Sequence, residues 1–238
     1  MLDLSRFSVL SFDCYGTMID WEAGIFSALR PILAAYNKRV NDVTLLKIYS
    51  DLEFEAEQQK YVSYREVLQS VVRGFGDRLG FDPSEAEMRS LPESLAAWQP
   101  FPDTVEALRE LKTRYQLAVI SNIDDDLFAC TALKLGVEFD QVVTAQQALC
   151  YKPCERIFQI ASGRIGVAPE KWLHVGQSIY HDVIPAQAMG IAAVWVNRPS
   201  AREGAGATKA AAGKPDLEVS SLKELVDMVS SSVGFGTG

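Results

Sequence analysis

From residue 104 onward the chain alternates amphipathic runs with short, doubly apolar ones, and a matching apolar run stands far upstream at 7–13. TVEALRELKTRY, DLFACTALKLG, ERIFQIASGRIG, DVIPAQAMG and SLKELVDMVSSS carry the three-to-four spacing of helices. Between them QLAVISN, FDQVVTA, WLHVGQS and IAAVWVNR read as strands. Parallel strands need helical crossovers, which then cover both faces, so this alternation predicts an α/β fold with a doubly wound parallel sheet. The upstream run is expected to join that sheet. Residues 20–98 differ: IFSALRPILAAY, TLLKIYSDLEFEAEQQ, YREVLQSVVRGFGDRL and PSEAEMRSLPESLAAW have helical periodicity only. The expected organisation is a discontinuous core domain, 1–19 with 99–229, an all-helical insert at 20–98, and a flexible tail at 230–238. GAGATKAAAGKPD is expected to be a small-residue loop.

Composition narrows the function classes. Hydrophobic residues make up 48% of the chain, enough for a substantial core, while a net charge of -8 and a pI near 4.9 argue against nucleic-acid or membrane-surface partners. No apolar run reaches the roughly 18 residues that a bilayer span needs, and the start of the chain lacks a signal-peptide pattern. A cytoplasmic location follows as the expectation. Cys14, Cys130, Cys150 and Cys154 have no paired metal-ligand spacing, and His174 and His181 are the only histidines. Reduced thiols are expected rather than a zinc site.

Open parallel sheets bind ligands beyond the carboxyl ends of their strands. Residues just past those ends are Asp13, Cys14 and Tyr15; Ser121, Asn122 and Asp124; Tyr151 and Lys152; and Gln177, Ser178, His181 and Asp182. Singly, most have a bland reading: a helix cap for Asp13 or Asp182, turn formers for Ser121 and Asn122, a solvated charge for Lys152. Gathered at the ends of separate strands of one sheet, they point to a site.

DCYGT after the first strand, SN after the second, YKP and a late Asp in SIYHD resemble the four ordered motifs of the haloacid dehalogenase (HAD) superfamily. The likeness spans essentially the whole chain, with 20–98 in the place of that superfamily's helical cap. It implies a HAD-like Rossmannoid core. It also implies Asp13 as nucleophile, Ser121 positioning the attacked group or stabilising charge, with Asn122 beside it in the catalytic set, Lys152 keeping Asp13 ionised, and Asp182 acting around the hydrolytic step. Phosphatases of the superfamily carry a second acid where this chain has Tyr15, and commonly another where it has Gln177, so the likeness implies neither phosphoryl transfer nor a magnesium cofactor. Asp-x-Tyr-Gly-Thr is instead similar to the 2-haloacid dehalogenase subgroup, in which a small carboxylate loses halide from its α carbon through an aspartyl ester.

Further segments, including DCYGTMIDWEAGI, FPDTVEALRELK and SNIDDDLF, resemble azetidine-2-carboxylate hydrolases of the same subgroup. C–N ring opening is therefore the alternative reaction, its proton managed by Tyr15, Tyr180 or His181. A phosphatase with altered ligands and a non-catalytic HAD-fold protein are the further alternatives. Cys14, Trp21, Tyr61, Tyr64, Gln177, Ser178 and His181 are the expected substrate-binding residues, although core or interface packing accounts equally for the aromatics. The arginine that receives halide in such dehalogenases has no counterpart in TLLKIYSDLEFEAEQQ; Arg30, Arg65 and Arg73 are the other arginines considered. Dimers are common in the subgroup, and a homodimer is the assembly it suggests.

Overall fold

Strand β1 (Val9–Phe12) is buried along its whole length, as a strand at the centre of a two-sided sheet must be. The computed structural model describes residues 2–198 and 211–233. Beside β1 lie β2 (Gln116–Ser121) and β4 (Trp172–Gly176), and the complete order is β3-β2-β1-β4-β5-β6, all parallel. The outer strands are β3 (Gln141–Thr144), β5 (Ala192–Val196) and β6 (Leu217–Val219). The chain runs outward from β1 through β2 to β3, then crosses back to β4 on the other side of β1, so the strand order reverses at β1 and a crevice opens beyond its carboxyl end.

Residue alternation sorts the sheet's two faces. Leu10, Phe12, Leu117, Val119, Leu173, Val175 and Val194 join one core cluster, to which α5 (Thr104–Lys112) and α10 (Leu222–Val233) contribute Leu108, Leu111, Leu222 and Leu225. Val9, Ile120, Val143, Trp172 and Ala193 join a second cluster, with Ile157, Phe158 and Ala161 of α8 (Glu155–Ile165) and Ala186 of α9 (Ile184–Ala188). A π-helical turn, Ile179–Val183, leads into α9, so the predicted helix at 182–190 begins earlier than its periodicity suggests.

The stretch between β1 and α5 is helical, as expected: α1 (Trp21–Ala35), α2 (Asp42–Glu57), α3 (Tyr64–Leu79) and α4 (Glu85–Ser94). Local chemistry starts each one. Asp20 and Asn41 cap α1 and α2, while Ser63 with Glu66 and Ser84 with Glu87 form capping boxes for α3 and α4. The chain leaves and re-enters the sheet side by side, since the Asp20 N–H donates to the Gln99 carbonyl at 2.9 Å.

Three features depart from the sequence reading. β6 was not anticipated, because LEV is too short for period-two alternation to register. The short helix α7 (Ala145–Ala148) begins where the predicted strand FDQVVTA was expected to end. Helix α10 runs to Val233, so 230–233, expected to begin the tail, instead complete the helix predicted at SLKELVDMVSSS. Of the expected tail and small-residue loop, 234–238 and 204–210 lie outside the described residues.

Candidate active site

At the carboxyl end of β1 the alternation that places Ser11 on one face places Asp13 with it and turns Cys14 to the other. Asp13 is 9% exposed and lines a cavity of about 60 Å³. Its Oδ1 accepts from Lys152 Nζ at 2.8 Å, and its Oδ2 from Thr17 Oγ1 at 2.8 Å. Gly16 makes that turn possible: it adopts φ +91°, and a Cβ there would press on Trp21 and Gln177, both in the cavity wall.

Lys152 spends all three N–H bonds inside the protein, on Asp13 Oδ1, on Asp182 Oδ1 at 2.6 Å and on the Ile120 carbonyl at 2.9 Å. Asn122 holds its backbone by two hydrogen bonds, accepting from the Lys152 N–H at 2.7 Å and donating to its carbonyl at 3.3 Å. Asp182 is fixed in turn: Ser178 N–H donates to Oδ2 at 3.1 Å, and His174 Nε2 lies 3.3 Å from Oδ1. The proton on that nitrogen follows from the partners behind it. Trp172 Nε1, which can only donate, gives its N–H to Ser11 Oγ at 2.7 Å. The Ser11 hydroxyl is then free to donate to His174 Nδ1 at 2.7 Å, leaving Nε2–H for Asp182.

Charge in this buried trio is unevenly distributed. Burial works to raise Asp182, yet the Lys152 ammonium and the His174 bond outweigh it and hold that carboxyl well below the usual range. For Asp13 burial prevails: with Asp182 it raises the carboxyl above its ordinary value, against the downward pull of Lys152. The pull of Lys152 on Asp13 has the expected direction, and burial outweighs it. Burial disfavours the Lys152 ammonium too, but Asp13 and Asp182 together keep it protonated.

Gly176 is the place where Asp182 approaches strand β4 most closely, and a methyl group there would overlap the Asp182 carboxyl. Gly176→Ala is therefore expected to displace Asp182 from Lys152, lowering stability by about 1–3 kcal/mol and activity with it. Urea unfolding checks the first effect; an unchanged midpoint would mean that the carboxylate is not held there.

Most of the expected residues meet in this one cavity. Asp13, Tyr15, Trp21, Tyr64, Ser121, Asn122, Lys152, Gln177, Ser178, His181 and Asp182 all line it. Ser121 Oγ is the most telling, because it is buried in the cavity wall with no hydrogen-bond partner. Three expected roles need revision. Cys14 is fully buried in the apolar cluster and lines no part of the cavity, a result of strand alternation. Tyr61 precedes the cap of α3 and lies against Tyr151, ring centroids 5.3 Å apart, in an outer chamber of about 410 Å³. Tyr15 presents its ring to the cavity, but its hydroxyl bonds Thr131 Oγ1 at 2.7 Å on α6 (Asp125–Leu135), and burial pushes the phenol well up. It is a wall, poorly suited to move a proton.

None of the three arginines considered lines the cavity. Arg30 pairs with Asp42, Arg65 pairs with Asp126 at 2.6 Å, and Arg73 is exposed. Residues missed by the sequence reading include the Thr17 hydroxyl, which bonds Asp13, and the cavity-lining glutamates Glu53 and Glu57 of α2. Their i, i+4 spacing on a helix expected to lie beside the site was the available signal. Asp124, the N-cap residue of α6, reaches the insert: its two oxygens accept the Tyr64 and Arg65 N–H groups at 2.9 Å each, at the start of α3. Tyr151 adds a hydroxyl bond to the Val62 carbonyl at 2.8 Å.

Comparison with known proteins gives three kinds of likeness. A family model for haloacid dehalogenase-like hydrolases matches residues 7–190. An (S)-2-haloacid dehalogenase from Pseudomonas sp. (strain YL) is 25% identical over 232 residues, covering 94% of this chain and 95% of that protein. A glyceraldehyde 3-phosphate phosphatase from Methanothermobacter thermautotrophicus is 37% identical over 105 residues, covering 43% of this chain and 46% of that one. Among solved structures, an L-2-haloacid dehalogenase from Xanthobacter autotrophicus with chloropropionic acid covalently bound matches with a TM-score of 0.78 at 20% identity, covering 94% of this chain and 98% of the other. At that identity the likeness shows the fold.

Proposed function

The chain belongs to the haloacid dehalogenase-like hydrolases, and within that family we propose that it hydrolyses small 2-substituted carboxylates through an ester on Asp13. The observation that carries the reading is a buried carboxylate facing a small cavity while bonded to a lysine that is itself locked in place. Asp13 attacks the α carbon, and halide departs with the bonding electrons, needing no proton. Water then attacks the ester carbonyl, releasing a 2-hydroxy acid and restoring the carboxylate. Lys152 and the Thr17 hydroxyl, already on the two Asp13 oxygens, receive the negative charge of that second step. The unpartnered Ser121 hydroxyl is positioned to hold the substrate carboxylate. Asp182, with its oxygens committed to Lys152, His174 and Ser178, positions the lysine. The helices at 20–98 act as the roof that keeps bulk water from the ester.

Two features favour this over phosphoryl transfer. The oxygens of Asp13 and Asp182 are already engaged by Lys152, Thr17, His174 and Ser178 rather than open to a divalent ion, and Gln177 adds only a neutral side chain to the wall. C–N ring opening shares the first step and differs in the proton its leaving nitrogen requires.

A single turnover of 2-chloropropionate in 18O-water, with enzyme in excess and EDTA present, tests the proposal. Label is expected in the peptide containing Asp13, with unlabelled oxygen in the first product. Label in that first product, or loss of turnover with EDTA, would overturn it.

A further inference from the structure

Glu53 and Glu57 sit one turn apart on α2 and face the same cavity as Asp13, with no part in the reaction above. Glu53 is buried, and its Oε1 accepts the hydroxyls of Tyr49 at 2.9 Å and Tyr64 at 2.7 Å. Glu57 lies 3.5 Å from Asn122 Nδ2 and lines both the inner cavity and the outer chamber. Four carboxyl groups, those of Asp13, Glu53, Glu57 and Asp182, thus surround one lysine whose N–H bonds are already spent. Ionising all four in so small a space is prohibitive, so a proton must reside on this wall. Burial, then the charge of Glu53, pushes Glu57 well above the usual range; burial raises Glu53 to about 7. A neutral acid beside a nucleophile is a proton donor. The buried, unpartnered Ser121 hydroxyl lines the same cavity, leaving a polar group there for a bound molecule to satisfy.

We propose that Glu57 is an acid catalyst, which extends the site from halides to 2-carboxylates whose α-carbon substituent departs through oxygen or nitrogen. The inference rests on Asp13 being the nucleophile. An Asp13 oxygen bonds to the α carbon as the bond to the leaving atom breaks; the electron pair stays on that atom, which takes the Glu57 proton. Hydrolysis of the ester by water yields the Asp13 carboxylate, the 2-hydroxy acid and one proton, and that proton restores Glu57. Because Glu57 forms part of both walls, it can also exchange protons with the outer chamber. Glu53, held by two tyrosines, is a positioning residue whose charge keeps the Glu57 proton on.

Beyond burial, Glu53 on its own helix raises Glu57, while Lys152 and the Asn122 hydrogen bond lower it; the other titratable groups facing the two spaces are Asp13, Asp182, Tyr15, Tyr64, His181, Tyr61, Tyr151, Tyr180, Cys150 and Cys154. The test uses the full chain with two probes, 2-chloropropionate and oxirane-2-carboxylate, whose ring oxygen must be protonated to leave. Wild type is expected to open the oxirane, with a rate that falls at high pH along a limb absent from chloride release. In Glu57→Gln the ratio of ring opening to chloride release should fall by at least about 100-fold. Chloride release in the same sample reports that the fold and nucleophile survive. No ring opening by wild type, or an unchanged ratio in the variant, overturns the proposal. Full activity of Asp13→Asn on chloropropionate would instead overturn the nucleophile on which it rests.

Discussion

Turnover of 2-chloropropionate should fall by at least about 10³-fold in Asp13→Asn, with the fold retained. An amide oxygen is a far weaker nucleophile than a carboxylate, and its alkylated product has no simple hydrolytic exit. The structural cost is expected to be small. The amide oxygen can still accept from Lys152, so the lysine keeps both side-chain partners. The second position is less comfortable: Thr17 donates to Asp13 Oδ2 while accepting the Gln177 N–H at 2.9 Å, and an Asn NH₂ would face that hydroxyl. One displaced hydrogen bond is worth roughly 1 kcal/mol, offset by removing a carboxylate that burial already disfavours. Parallel measurement of the rate and of thermal unfolding separates the effects. A variant as active as wild type would mean that Asp13 is not the nucleophile.

Lys152→Met should do the reverse, costing the fold as well as the reaction. The ammonium is almost wholly buried between two buried carboxylates, and an apolar side chain would leave Asp13 and Asp182 confronting each other without a counter-charge. Removing one partner of a buried ion pair typically costs about 3–5 kcal/mol, a large share of the roughly 5–15 kcal/mol that holds a domain together. The sign with pH follows. Asp182 now sits well below the usual carboxylate range because Lys152 and His174 outweigh its burial. Without the lysine both carboxyls would be raised relative to the unfolded chain. Their contribution would then be fully present below the unfolded values near 4 and lost as pH rises through the raised ones. The deficit relative to wild type should therefore be larger at pH 8 than at pH 5, as urea unfolding at the two pH values can measure. A cost below about 1 kcal/mol at pH 8 would show that the trio is not a charge-stabilised unit.

Chain order and residue type made much of this site legible in advance. Residues that follow strand ends in a parallel sheet converge whatever the rest of the fold does, which is why Asp13, Ser121, Lys152 and Asp182 could be grouped before any coordinates. The α2 acids were hidden for the opposite reason. Glu53 and Glu57 look like the solvent face of an amphipathic helix, and only the packing of α2 on α3, with tyrosines from both helices reaching Glu53, turns them inward. Cys14 was misplaced because adjacency in sequence was read as adjacency in the site, whereas alternation at a strand end sends neighbours to opposite faces; Tyr61, an aromatic of the helical insert, lies in the loop before α3 and lines the outer chamber instead. The Trp172–Ser11–His174 relay was illegible for want of any pattern: three residues interior to two strands become a chain only when β1 and β4 pair in register, Ser11 opposite His174.

Asp124 gives the molecule a mechanical property. It stands three residues after Ser121, and its buried carboxylate grips the first turn of α3 through two amide hydrogens. Lifting the helical insert would strand that carboxylate, so the insert and the cavity-facing Ser121 hydroxyl are leashed to one another by a few links of main chain. That tie runs through Asp124 alone and makes no use of the charged trio of Asp13, Lys152 and Asp182.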